Sequence, residues 1–93
     1  MRVRLTARAQ KDLRPLPARH RLLILQASKQ MEGSPLSKAA GLRRLEGVSG
    51  RHFYRLRVGS YRVLCTREED VLTVLRAVSR QDLQEAIRRI TGS

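Results

Sequence analysis

The sequence predicts an α+β domain of two layers: a mainly antiparallel four-stranded sheet, a helical hairpin packed on one of its faces, and a C-terminal helix. Three observations carry that expectation. The stretch His52–Val78 (HFYRLRVGSYRVLCTREEDVLTVLRAV) alternates apolar and polar residues over three runs, which is the period of half-buried strands. Gly59-Ser60 joins the first two runs, and glycine in a two-residue connection is a strong hairpin signal because it accepts positive φ. Ahead of them, Ala18–Glu32 repeats its apolar residues at spacings of three and four, the period of a helix.

Taken in order, Met1–Leu5 alternates Val3 and Leu5 with Arg2 and Arg4 and reads as an outer strand. Thr6 is placed to cap a short helix, Ala7–Leu13, with Ala9 and Leu13 inward. Pro15-Leu16-Pro17 breaks it, and the second proline suits the first turn of a new helix. In that helix His20, Leu23, Ile24, Ala27 and Met31 form one stripe, which Leu22 and Leu25 widen. Gly33-Ser34-Pro35 ends it. Leu36–Gly47 reads as a partly irregular crossover back to the sheet. The three strands are His52–Val58, Tyr61–Arg67 and Val71–Val78, with Glu68-Glu69-Asp70 as the second turn. Ser79 then caps a last helix, Arg80–Ile90. Its stripe of Leu83, Ala86, Ile87 and Ile90 either packs on the core or docks on a partner.

The period of two sorts the strand residues onto two faces. Tyr54, Leu56, Val58, Tyr61, Val63 and Cys65 share the apolar one. Arg55, Arg57, Arg62 and Arg76 stud the other, and Arg80 follows at the exit of the last strand. An apolar face needs a cover, and a ridge of guanidinium groups needs an anion.

Composition points the same way. The 93 residues, read as one domain spanning 1–93, carry 20 Lys and Arg against 8 Asp and Glu, a formal net charge of +12. Self-repulsion opposes compaction, so such an imbalance points to a polyanionic partner. The longest apolar run, Leu22–Leu25, is far too short to span a membrane. No signal-peptide pattern opens the chain, and the single Cys65 fits a reducing cytoplasm. One Cys with His20 and His52 builds no ordinary zinc site, and neither a phosphate-binding glycine loop nor a serine triad is present. No metal and no cofactor is expected.

The layout LRRLEG, FYRLRVGSYRVLC and EEDVLTVLRAVSRQDL, preceded by ARAQKDLRPLP, resembles the RelE/ParE superfamily of toxins from bacterial type II toxin–antitoxin systems. The resemblance covers nearly the whole chain, and YRLRVGSYRVL is its most specific part. It implies the β-α-α-β-β-β core derived above and a cognate antitoxin that wraps the toxin. Operator DNA would be met only through that complex. It also implies one of two activities. RelE-like members cut messenger RNA in the ribosomal A site without a metal, whereas ParE-like members poison DNA gyrase. A weakly active member that chiefly binds its antitoxin is a third reading.

For the nuclease, the resemblance places Arg55, Arg57, Arg62 and Arg80 at catalytic positions, with Arg43, Arg44, Arg51 and Arg76 as further RNA-binding residues. The pattern departs from the family where proton transfer is concerned. Position 55 is Arg where Lys is frequent, and Arg does not act as a base at neutral pH. The stretch after Arg80 has neither Tyr nor His. His52 is a substitute acid or base, although its parity places it with Tyr54 on the apolar side, and Glu46 is a weaker one.

Overall fold

The computed structural model describes residues 2–33, 41–45 and 52–92. The order is β1 (Arg2–Leu5), α1 (Ala7–Leu13), α2 (Ala18–Gln30), a 3-10 turn (Met31–Gly33), β2 (Leu42–Arg44), β3 (His52–Val58), β4 (Tyr61–Glu68), β5 (Val71–Ser79), a second 3-10 turn (Arg80–Asp82) and α3 (Leu83–Thr91). The sheet has five strands in the order β1-β5-β4-β3-β2. Only β1 runs parallel to its neighbour; the other pairs are antiparallel.

The extra strand, Leu42–Arg44, lies in the segment expected to be an irregular crossover. Three residues are too few for alternation to register in sequence, and only pairing with Leu56, Arg55 and Tyr54 of β3 defines it. The rest of that crossover, 36–40 and 46–47, lies outside the described residues.

The helical hairpin covers the apolar face, as the alternation predicts. The Thr6 hydroxyl accepts from the Ala9 amide at 3.1 Å and donates to the Leu75 carbonyl, also at 3.1 Å. One side chain thus caps α1 and docks it on β5. Ala9, Leu13, Ile24 and Met31 meet Leu56, Val63, Cys65, Leu72, Val74 and Ala77 in the main core. The expected stripe of α2 holds at Ile24 and Ala27 and, just past the helix end, at Met31. It is corrected at Leu23, which is 51% exposed, while Ser28 is buried in the row. Ser28 tolerates burial because its hydroxyl donates to the Ile24 carbonyl at 2.8 Å. Leu22 and Leu25 are also exposed, at 55% and 38%.

The opposite face is not left bare. Leu83 and Ala86 of α3 bury against Leu64 and Val78, with Leu45, Ile87 and Ile90 around them. The stripe of α3 is therefore core, and full burial of a leucine such as Leu83 stabilises by roughly 2 kcal/mol. The helix starts later than expected. The Ser79 hydroxyl donates to Asp82 Oδ2 at 3.1 Å and does not cap, so Arg80–Asp82 forms a 3-10 turn first. Gly92, at φ 74°, closes α3 with its amide on the Arg88 carbonyl, a left-handed C-terminal cap.

One irregularity redirects the last strand. Cys65 pairs with Val74 and Leu64 with Arg76, so Leu75 has no partner on β4. This β-bulge inserts one residue and shifts parity. Leu72 and Val74 face the hairpin before it, and Ala77 does so after it. Strict alternation along Val71–Val78 misses that switch.

Candidate nucleic-acid interface

Hairpin register brings the arginines into line. Arg57 on β3 lies directly opposite Arg62 on β4, and Arg43 on β2 lies opposite Arg55 on β3. Together with Gly41 these side chains line a cleft of about 290 Å³. The cleft occupies the β2–β3–β4 part of the face whose Leu64 and Val78 are covered by α3. Like charges directly opposite on neighbouring strands are destabilising, so this ladder is unusual.

Arg62 is the best fixed of the set. Its Nη1 donates to the Gly59 carbonyl at 3.0 Å and to the Tyr61 carbonyl at 2.9 Å. Its pKa is lowered from the ordinary arginine value, first by partial desolvation and then by the charges of Arg57, Arg80 and Arg55. It remains cationic at any physiological pH. Arg80 reaches this group because its amide donates to the Ser60 carbonyl at 2.8 Å, pinning the strand exit to the β3–β4 turn. Among the described residues no carboxylate pairs with Arg43, Arg55, Arg57, Arg62 or Arg80; the ion pairs gather at Asp12 and Glu85.

Gly41 shapes the rim. Its φ is 79°, and a Cβ there would stand 3.1 Å from the Arg57 carbonyl oxygen. Its own carbonyl accepts from the Arg57 amide at 3.0 Å. Glycine lets β2 approach β3 closely enough to set Arg43 beside Arg55. In sequence Gly41 reads only as a turn former within the crossover; its close approach to β3 depends on a pairing that no local pattern marks.

The remaining residues expected at the site lie elsewhere. Arg44 aligns with Tyr54, which the period of two puts on the other side of the sheet from Arg43. Arg76 does not join the cleft. Its Nε donates to Asp12 Oδ2 at 2.8 Å and its Nη2 to Oδ1 at 3.3 Å. Both side chains are largely buried, and the Ala77 amide donates to the same carboxylate at 3.0 Å. Arg76 instead lines a groove with Arg8, Val78, Asp82, Glu85, Ala86 and Arg89. Arg51, Glu46 and the His52 side chain lie outside the described residues; the His52 backbone pairs with Arg67.

Chemically, the cleft offers fixed cations and bidentate donors suited to phosphate oxygens. It holds no carboxylate or imidazole among its described lining residues. No group of three or more His, Cys, Asp or Glu side chains arranged to hold a metal ion occurs among the described residues, and no described helix is long and apolar enough to cross a membrane.

Residues 3–84 match the family described as the ParE toxin of type II toxin–antitoxin systems, parDE. A search of curated proteins found no match. Solved structures share the fold. The RelE chain of the archaeal RelE–RelB complex from Pyrococcus horikoshii OT3 superposes with a TM-score of 0.72 at 28% identity, over 85% of this chain and 93% of that one. The Mycobacterium tuberculosis RelBE2 toxin–antitoxin complex gives 0.70 at 25% identity, over 85% and 96%. A free-state mutant of Escherichia coli RelE gives 0.67 at 22%, over 96% of both chains. With its sheet, hairpin and arginine ladder in place and the family match running through nearly all of them, this chain belongs to the RelE/ParE superfamily of toxins of type II toxin–antitoxin systems.

Proposed function

We infer that the toxin acts on RNA, as a ribosome-dependent, metal-independent endoribonuclease that cuts messenger RNA and so inhibits translation. The observation that carries this reading is the convergence of Arg43, Arg55, Arg57 and Arg62 on one cleft, with Arg80 within electrostatic reach of Arg62. In such a reaction the 2′-hydroxyl attacks the adjacent phosphorus. The P–O5′ bond breaks, leaving a 2′,3′-cyclic phosphate and a 5′-hydroxyl. Negative charge grows on the non-bridging oxygens, where preorganised donors act most strongly. Arg57 and Arg62, which face each other across the hairpin, would clamp those oxygens. Arg43 and Arg55 continue the track along the strand of RNA.

The proton transfers are a separate matter. Arginine neither removes the 2′ proton nor readily protonates the leaving oxygen at neutral pH. The cleft therefore supplies positioning and charge stabilisation, and general acid–base help must come from outside it. That division suits a toxin that works on the ribosome and turns over slowly on naked RNA.

The family match to a ParE toxin favours a second reading, inhibition of DNA gyrase. The partner implied by both is a cognate antitoxin; the relatives from P. horikoshii and M. tuberculosis were solved with theirs. The exposed Leu22, Leu23 and Leu25 give such a partner an apolar surface. Along α2 that surface is flanked by Arg19, Arg21 and Lys29 and by no acid, so the matching segment is apolar with acidic neighbours. The deciding experiment expresses the toxin without antitoxin and maps mRNA ends and plasmid topology in the same cells. Shortened transcripts with normal supercoiling, lost in Arg62→Ala, support the nuclease. Altered supercoiling with intact transcripts supports the gyrase reading and removes the first.

A further inference from the structure

We propose that His20 and Tyr61 form a positioning pair, working from the helix side of the sheet to hold the β3–β4 turn and so aim Arg62 into the cleft on the other side. The proposal rests on the cleft being the site of anion binding.

His20 Nδ1 and the Tyr61 hydroxyl lie 2.9 Å apart, with the two rings edge to face at 5.4 Å between centroids. When the imidazole carries its proton on Nε2, the phenol donates to Nδ1. The pair joins α2 to the first residue of β4. Tyr61 packs among the partly buried residues of the hairpin side, and the next residue, Arg62, points the opposite way by the strand period.

The turn between β3 and β4 is a junction. Arg62 Nη1 is bound to the carbonyls of Gly59 and Tyr61, so the guanidinium is anchored to the turn itself. The Arg80 amide is bound to the Ser60 carbonyl. Two arginines of the candidate site therefore take their positions from the same three residues. Any tilt of that turn moves both.

Packing alone does not fix this corner. A cleft of about 230 Å³, lined by His20, Leu23, Val58, Gly59, Ser60 and Tyr61, opens between α2 and the turn. Leu23 is half exposed at its edge. Where apolar contact is incomplete, a directional hydrogen bond carries more of the restraint. The His20–Tyr61 bond is also the one described tie here made by two side chains across the layers. It can be removed without touching the strand ladder.

The test uses the full-length toxin. Side-chain 15N relaxation and exchange of the Arg62 guanidinium are measured in wild type, Tyr61→Phe and His20→Leu. Both variants should loosen Arg62 relative to wild type, and combining them should add nothing further. Arg62 signals that match wild type in Tyr61→Phe overturn the proposal. Affinity for a short single-stranded RNA gives a second readout. Tyr61→Phe should weaken binding about two- to tenfold, the worth of one neutral hydrogen bond. That loss should vanish in an Arg62→Ala background, because a positioning residue has nothing left to position. An equal loss in both backgrounds marks general destabilisation and overturns the proposal. RNA binding that Arg62→Ala leaves unchanged removes the nucleic-acid reading, while the relaxation data still decide the role of the pair.

Discussion

If the cleft tracks a phosphate backbone, RNA affinity must fall steeply with salt, and the slope counts the contacts. The geometry supplies five guanidiniums: Arg43, Arg55, Arg57 and Arg62 around the cleft and Arg80 beside Arg62. Each phosphate neutralised on a single strand contributes about −0.7 to the slope of log K against log salt. Five contacts give about −3.5, a loss of about 100-fold between roughly 50 and 200 mM salt. Removing the facing pair, Arg57→Ala with Arg62→Ala, should leave about −2.1, or a loss of about 20-fold over the same range. The control is Arg2→Ala with Arg4→Ala. It removes the same charge from exposed positions on β1, at the far edge of the sheet, and should leave the slope unchanged. Fluorescence anisotropy with a labelled RNA of about ten nucleotides reads both. Equal slope changes in the two double variants would refute the reasoning, since binding would then follow net charge and not the cleft.

Further outcomes concern Asp12, Glu69, Cys65 and the leucines of α2. Asp12→Ala should destabilise the fold by about 3 kcal/mol in urea, because it strands the largely buried Arg76, and Asp12→Leu with Arg76→Leu should recover at least half of that. Glu69 sits at φ 52° in the β4–β5 turn, so Glu69→Gly should gain about 1 kcal/mol and raise the melting temperature by about 4–8 °C. Burial pushes the Cys65 thiol up to about 12; a thiol reagent at neutral pH should label it only on unfolding. Because the unfolded thiol ionises first, Cys65 should favour the folded state fully below its ordinary value near 9 and progressively less from there to about 12, as alkaline denaturation curves of wild type and Cys65→Ala will show. Leu22→Glu with Leu23→Glu should raise the antitoxin dissociation constant at least about tenfold in calorimetry, with melting unchanged, since both side chains are half exposed.

What the sequence disclosed and what it hid divide along physical lines. Strand alternation and the glycine at position 59 are local signals, and they located β3, β4 and β5 to within a residue or so. They also put Arg55, Arg57 and Arg62 on one face before any coordinates. Arg76 kept the face that alternation gave it, opposite Leu64, and left the cleft only because Asp12, 64 positions away in the chain, takes its guanidinium. The bulge at Leu75, which exists only as a pairing of β5 with β4, instead turned Leu72 and Val74 to the hairpin side. Arg43 joined the site through a strand too short to be periodic. The leucines of α2 were read as core because hydrophobicity marks a surface to be covered without saying by what. The core takes one row, Ile24 and Ser28 of α2 continued by Met31 of the 3-10 turn, and leaves the leucines uncovered.

The placement of the carboxylates sharpens the reading of the cleft. The chain has only eight acids against 20 basic residues, yet it uses them well where structure requires it. Asp12 serves Arg76, the Ala77 amide and, at 3.7 Å, Arg8. Glu85 meets Arg88 and Arg89 on α3 at 2.9 and 3.1 Å. Nothing in the strand geometry prevents a glutamate opposite Arg57 or Arg55, where cross-strand pairing would stabilise the hairpin. Instead Arg62 and Arg43 stand there. Repulsion across the ladder is tolerable because the cleft opens to water, where charges are screened. On the proposed reading an entering anion would relieve it, and part of the binding free energy would be strain already present in the free protein. A structural polar face would have no reason to keep that arrangement; a phosphate-binding one does.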